Sequence, residues 1–156
     1  MAERLAEALT YTYIDRVESL PAWLTLDGLT ESFHHKMKPF HDTLADVRRA
    51  LEYGLNIDPS KDGGFVITAC RGQELVGGIL MLRTGMGGYI PSWILLMVFV
   101  DPSLRGQGVG RQLIDRAREH CDGDIKLHVE HDNPARRLYE RVGFTSKYLE
   151  MRLSNP

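Results

Sequence analysis

The chain has 156 residues, 43% of them hydrophobic and 26% charged, which fits a globular domain and excludes a disordered or fibrous polypeptide. Nineteen basic against 21 acidic side chains leave a net charge of −2, a poor balance for gripping a nucleic-acid backbone. The longest apolar run, Trp93 to Val100, is far shorter than the roughly 20 residues of a membrane helix. The acidic start Met1–Glu7 has no apolar core of a secretory signal, and two cysteines cannot staple a scaffold. A single domain over residues 1–156, in a reducing cytoplasm and without nucleic-acid or membrane partners, is the expectation.

Leu9 to Ile14 alternates threonine with tyrosine and reads as a strand. From Val17 to His41, prolines and Gly28 interrupt the pattern, and short helical pieces with loop are expected. Leu44, Val47, Leu51 and Leu55 form a helical stripe over Asp42 to Leu55, with Asp42 or Thr43 as its cap. Phe65–Cys70 and Leu75–Leu82 read as two strands around a turn at Arg71–Glu74. Gly85, Gly87 and Gly88 mark a flexible loop. Trp93–Val100 is apolar throughout, as in a central strand covered on both faces. Arg111–Cys121 carries an apolar stripe of Leu113, Ala117 and Cys121. Ile125–His131 alternates as a strand. Asn133-Pro134 starts a helix with Ala135, Leu138 and Val142 on one stripe, and Gly143 ends it. Thr145–Leu153 reads as a last strand. The fold class is α/β, antiparallel strands first and a strand-helix-strand unit after.

The informative stretch is Arg105-Gly106-Gln107-Gly108-Val109-Gly110, between the apolar strand and an amphipathic helix. Glycines let backbone approach a ligand closely, and free N–H groups at a helix start favour phosphate. A phosphate or pyrophosphate site is therefore expected over residues 105–111, with Arg105 and Arg111 adding charge. A P-loop would need Lys-Ser/Thr where Arg111-Gln112 stands, and the glycine spacing is G-x-G-x-G rather than the dinucleotide G-x-G-x-x-G. Both nucleotide readings weaken.

The R-x-x-G-x-G segment after an apolar strand and Asp-Pro resembles the acetyl-CoA motif of the GNAT N-acetyltransferases. A second match is independent of it: Asn133, Ala135, Leu138, Tyr139, Glu140, Gly143 and Phe144 resemble that family's closing N-x-A-x-x-L-Y-E-x-x-G-F signature. The resemblance covers residues 62–153, and its carboxy-terminal part is most like the ribosomal-protein N-terminal acetyltransferases. It implies a mixed, mostly antiparallel sheet flanked by helices, with splayed central strands. It also implies acetyl-CoA as co-substrate and a primary amine as acceptor. Val98, Phe99 and Val100 would then offer backbone to the pantetheine arm. Arg105, Gly106, Gln107, Gly108, Val109, Gly110 and Arg111 would hold the pyrophosphate, and Asn133 would contact the cofactor. Tyr139 would protonate the leaving thiolate. The family often forms dimers, and its acceptor pockets correspond here to Leu24–Phe40 and Thr84–Pro91.

An attacking amine must lose a proton, since an ammonium near pKa 10.4 is mostly charged at neutral pH. His128 falls where some members carry a catalytic glutamate, and Glu130 shares its strand face, so either would serve as base. No metal is required, and His34, His35 and His41 lack the carboxylate or cysteine frame of a metal site. Cys70 and Cys121 read as buried thiols. A binder that senses acyl-CoA without turnover remains the other reading, against which Tyr139 argues.

Overall fold

The computed structural model describes residues 8–37 and 42–156. Five strands form one sheet in the order β1-β2-β3-β4-β5: Thr10–Ile14, Gly64–Arg71, Glu74–Arg83, Trp93–Val100 and Ile125–Lys126. The first four are successively antiparallel, and β5 joins β4 in parallel. The helices among the described residues are α1 (Leu26–Lys36), α2 (Leu44–Gly54), α3 (Val109–Glu119) and α4 (Ala135–Val142).

Two apolar clusters sandwich the sheet. Leu29 and Phe33 of α1 and Val47 and Leu51 of α2 pack on one face with Val66, Leu80, Met97 and Phe99. Val109, Leu113, Ile114 and Ala117 of α3, with Tyr139 of α4, pack on the other against Ile67, Ile79, Met81, Trp93 and Leu95. Burial on both faces explains why β2, β3 and β4 read as nearly continuous apolar runs. Thr25 and Thr43 cap α1 and α2, each side-chain oxygen accepting from the backbone N–H three residues on.

Three expectations need correction. Of the segment Val17–His41, residues 38–41 lie outside the described ones and Val17–Ser19 is a short 3₁₀ turn as expected, but Leu26–Lys36 is one eleven-residue helix, α1, rather than further short pieces. Its stripe of Leu26, Leu29 and Phe33 has helical spacing, and Gly28 inside it is no breaker when both ends are packed. The strand expected over Ile125–His131 is paired only at Ile125 and Lys126. The strand expected over Thr145–Leu153 does not form, and Tyr148, Leu149, Met151 and Leu153 are all more than 80% exposed. Alternation alone makes no strand: a strand needs an edge to pair with, and β5 offers only two residues.

Glycine has a packing role in β3. A Cβ on Gly78 would lie 2.9 Å from both the Phe33 and Phe99 rings, which meet edge-on across the strand with centroids 4.7 Å apart. Lys36, at the end of α1, reaches the far end of the sheet. Its ammonium donates to the Leu75 carbonyl at 2.8 Å and to Asp101, just past β4, at 3.1 Å. Asp101 also accepts from the Ser103 N–H and hydroxyl. Those two bonds, and then Lys36, hold its carboxyl down to about 2.

Two predictions follow from this packing. Gly78→Ala overpacks the aromatic pair and lowers stability by about 1–3 kcal/mol in urea unfolding. Because the Asp101 carboxyl is depressed below its ordinary 3.8, its contribution is complete above that value and is lost as pH falls toward 2. Thermal unfolding of Asp101→Asn should therefore be less stable than the parent at neutral pH, with the difference narrowing from about pH 4 to 2.

Candidate active site

The central feature is a wedge between β4 and β5. They pair only at Trp93–Ile125 and Ile94–Lys126, and the edge of β4 from Leu95 to Val100 has no strand beside it among the described residues. On its other edge β4 stays paired to β3, and the Asp101 N–H continues that ladder to the Val76 carbonyl at 2.7 Å. Antiparallel alternation from that bond turns the backbone groups of Phe99 toward β3 and those of Val98 and Val100 toward the wedge. Of the three residues expected to offer backbone to a ligand, Val98 and Val100 thus face the opening. Phe99 instead buries its ring against Phe33.

The wedge opens toward the glycine loop. After a single 3₁₀ turn at Pro102–Leu104, Gly106 and Gly108 adopt φ of +79° and +83°, and a Cβ on either would meet nothing within 4 Å. Both are exposed, so the space above them is free for a ligand. Gly108 is the N-cap of α3 and offers no side-chain cap. The first intrahelical bond closes at the Gln112 N–H, so the N–H groups of Val109, Gly110 and Arg111 have no helical acceptor. These three N–H groups and the helix dipole make an anion-binding end.

The other residues of the loop divide their work. Gly110 is buried, and a Cβ there would sit 2.8 Å from Leu138 of α4, so this glycine serves the contact between two helices. Val109 belongs to the core. Arg105 is exposed and makes no ion pair among the described residues, while Arg111 pairs with Asp115 one turn along α3 at 3.6 Å. The Gln107 amide donates to the Ser103 carbonyl, closing the loop on itself.

The helix α4 packs on α3, its Leu138 lying against Gly110. Asn133 is half-buried, and its side-chain oxygen accepts from the Ala135 N–H at 2.9 Å, so it caps the helix although regular helix begins two residues later. Tyr139 is buried in the cluster that also takes in Val98, Val100 and Leu138, with its ring edge-on to Phe144. Burial pushes its phenol up to about 12, so it carries its proton at neutral pH. Among the described residues the hydroxyl makes no hydrogen bond and no buried polar side-chain atom lacks a partner, so its oxygen reaches solvent.

The structure therefore places Val98, Val100, the head of α3 and Tyr139 in one apolar cluster beside the unpaired edge of β4. It does not bind His128 and Glu130 into it. Both side chains are exposed beyond the end of β5 and make no side-chain hydrogen bond or ion pair among the described residues. His34 and His35 lie on α1, and His41 is outside the described residues. No group of three His, Cys, Asp or Glu side chains gathers as a metal site among those described. Cys70 is buried and Cys121 half-buried, and burial raises both thiols, Cys121 to about 11. Sequence reasoning took Asp101 only as the end of a strand and passed over Lys36. Nothing local signals that pair, whose members stand 65 residues apart.

Comparison with known proteins agrees with this geometry. Residues 62–146 match the acetyltransferase (GNAT) domain family. A mycothiol acetyltransferase of Brachybacterium faecium is 28% identical over 143 residues, which are 88% of this chain and 41% of that protein. The chain thus spans about two fifths of the length of the curated relatives it matches. A possible acetyltransferase from Clostridium difficile superposes with a TM-score of 0.67 at 17% identity, over 96% of this chain and 99% of the other. An aminoglycoside N-acetyltransferase in complex with CoA gives 0.66 at 17% identity, over 95% of each chain. These structural likenesses concern the fold. With the family match spanning more than half of its residues, the chain belongs to the GNAT acetyltransferase family.

Proposed function

We propose that this chain moves the acetyl group of acetyl-CoA to a primary amine on a small molecule, by direct attack while both are bound. The observation that carries this reading is the wedge beside β4, which opens onto a glycine loop with free N–H groups. The family uses acetyl-CoA, and the named relatives include mycothiol and aminoglycoside acetyltransferases, which supports a small-molecule acceptor over a protein amine.

Acetyl-CoA supplies an activated thioester and a good leaving group. Val98 and Val100 would hold its arm through strand-like backbone hydrogen bonds, and the N–H groups of Val109, Gly110 and Arg111 would hold its pyrophosphate. Arg105, free of ion pairs among the described residues, adds charge there. Asn133 fixes the start of α4 and so sets the place of Tyr139. The phenol of Tyr139 donates to the sulfur as its bond to carbon breaks. Because a phenol near 12 is a much weaker acid than a thiol near 8.5, hydrogen bonding comes first. Full transfer needs the proton replaced from the acceptor side. A second proton, the one that makes the free acceptor an ammonium, leaves before attack through water toward His128, with Glu130 as the second choice; the proton that returns to Tyr139 comes from the nitrogen after attack.

These roles separate experimentally. Tyr139→Phe should lower kcat by about a hundredfold or more, with acetyl-CoA affinity by calorimetry nearly unchanged, because the ring and its packing remain. Retained turnover would remove Tyr139 from the chemistry; binding without any thiol release across a panel of amines would favour an acyl-CoA sensor. Alanine at both His128 and Glu130 should depress kcat/KM at neutral pH and move its rise toward the acceptor's own pKa. An unchanged profile dismisses both. Gly108→Val should weaken acetyl-CoA binding tenfold or more (~1.4 kcal/mol), whereas Gly110→Ala should first cost stability through Leu138.

A further inference from the structure

Leu96 is out of place for a residue of a central strand. Helices cover both faces of β4, and its neighbours Leu95 and Met97 are 4% and 3% exposed, yet Leu96 keeps 40% of its surface open. It belongs to neither apolar cluster. The ladder shifts at this point: Leu95 faces Met81 and Met97 faces Leu80, which makes Leu96 the extra residue of a β-bulge. It is also the second residue past Ile94, where pairing with β5 stops. Bulge, parting and exposure coincide at one leucine, at the closed end of the wedge.

The direction of the ligand follows from the chain. The glycine loop comes directly after β4, so phosphates at the head of α3 leave an arm that runs from Val100 back toward the closed end. Val100 to Leu96 is roughly 13 Å of strand at about 3.3 Å per residue. A pantetheine arm, two amide units and a cysteamine, has an extended length of that order. Its thioester then lies beside Leu96.

We propose that Leu96 is the wall that sets the length of the acyl group this site accepts. An acetyl methyl fits against its side chain, and each further methylene collides with it. The proposal rests on the acetyl-CoA reading above and adds to it a residue that selects among acyl donors. Leu96 supports no core cluster, so its truncation leaves the fold in place.

Calorimetry with free CoA, acetyl-CoA and butyryl-CoA tests this without knowledge of the acceptor. The parent protein should bind butyryl-CoA more weakly than acetyl-CoA by about tenfold or more. Leu96→Ala should close that gap by about tenfold, with free CoA affinity unchanged. Leu96→Phe should weaken acetyl-CoA by about tenfold, again with free CoA unchanged, and decides the matter if the alanine variant fails to fold. An equal butyryl-to-acetyl ratio in parent and variants, with CoA bound throughout, overturns the role of Leu96 alone. No binding of any of the three by the folded parent overturns the acetyl-CoA reading beneath it.

Discussion

The site depends on one asymmetry in pairing: β4 keeps β3 along its whole length and keeps β5 for two residues. Unpaired strand edges in a folded domain expose N–H and C=O groups that need a partner. Along Val98 and Val100 that need can be met by any ligand with amide groups spaced like a peptide. The parting is held at both ends. At the closed end Trp93 is buried, its indole N–H donates to Asp122 at 3.0 Å, and its backbone N–H reaches Asp124 at 3.1 Å. Arg83 lies over the same indole, 4.3 Å from the ring. At the open end Lys36 ties α1 to Asp101, which in turn shapes the turn leading into the glycine loop.

Glycine does three separate jobs within a short distance. Gly106 and Gly108 supply left-handed backbone and leave open space above it. Gly110 lets Leu138 approach α3, so the helix that presents N–H groups and the helix that carries Tyr139 are packed as one unit. The head of α3 and the position of Tyr139 are therefore mechanically linked. On the other face Gly78 leaves room for the Phe33 and Phe99 rings to meet above the strand, which seats α1 and with it Lys36.

Electrostatics is spent sparingly at this opening. Asp115 is shared between Arg111 and Arg118 along α3, while Arg105 makes no ion pair among the described residues and adds to the positive end of the helix dipole. Tyr139 is tuned by burial, and among the described residues no charged neighbour acts on it. A phenol set that way is insensitive to salt and stays protonated across the physiological range.

Much of this protein is legible in its sequence where the signal is local. The apolar run Trp93–Val100 coincides with β4, the threonine cap and stripe with α2, and the two motifs with the head of α3 and with α4. Periodicity, capping and glycine placement act over a few residues, so they can be read without the fold. Residues such as Tyr139 were named by their motif, and their burial was not. Tertiary structure decided the rest. It showed that Phe99 turns inward while Val98 and Val100 face the wedge, that Gly110 serves packing, and that Lys36 reaches Asp101. It also left Leu127–His131 and Thr145–Leu153 unpaired despite their alternating patterns. Alternation records which side chains share a face; whether a strand forms depends on a neighbouring edge, and that is set by elements far away in the chain.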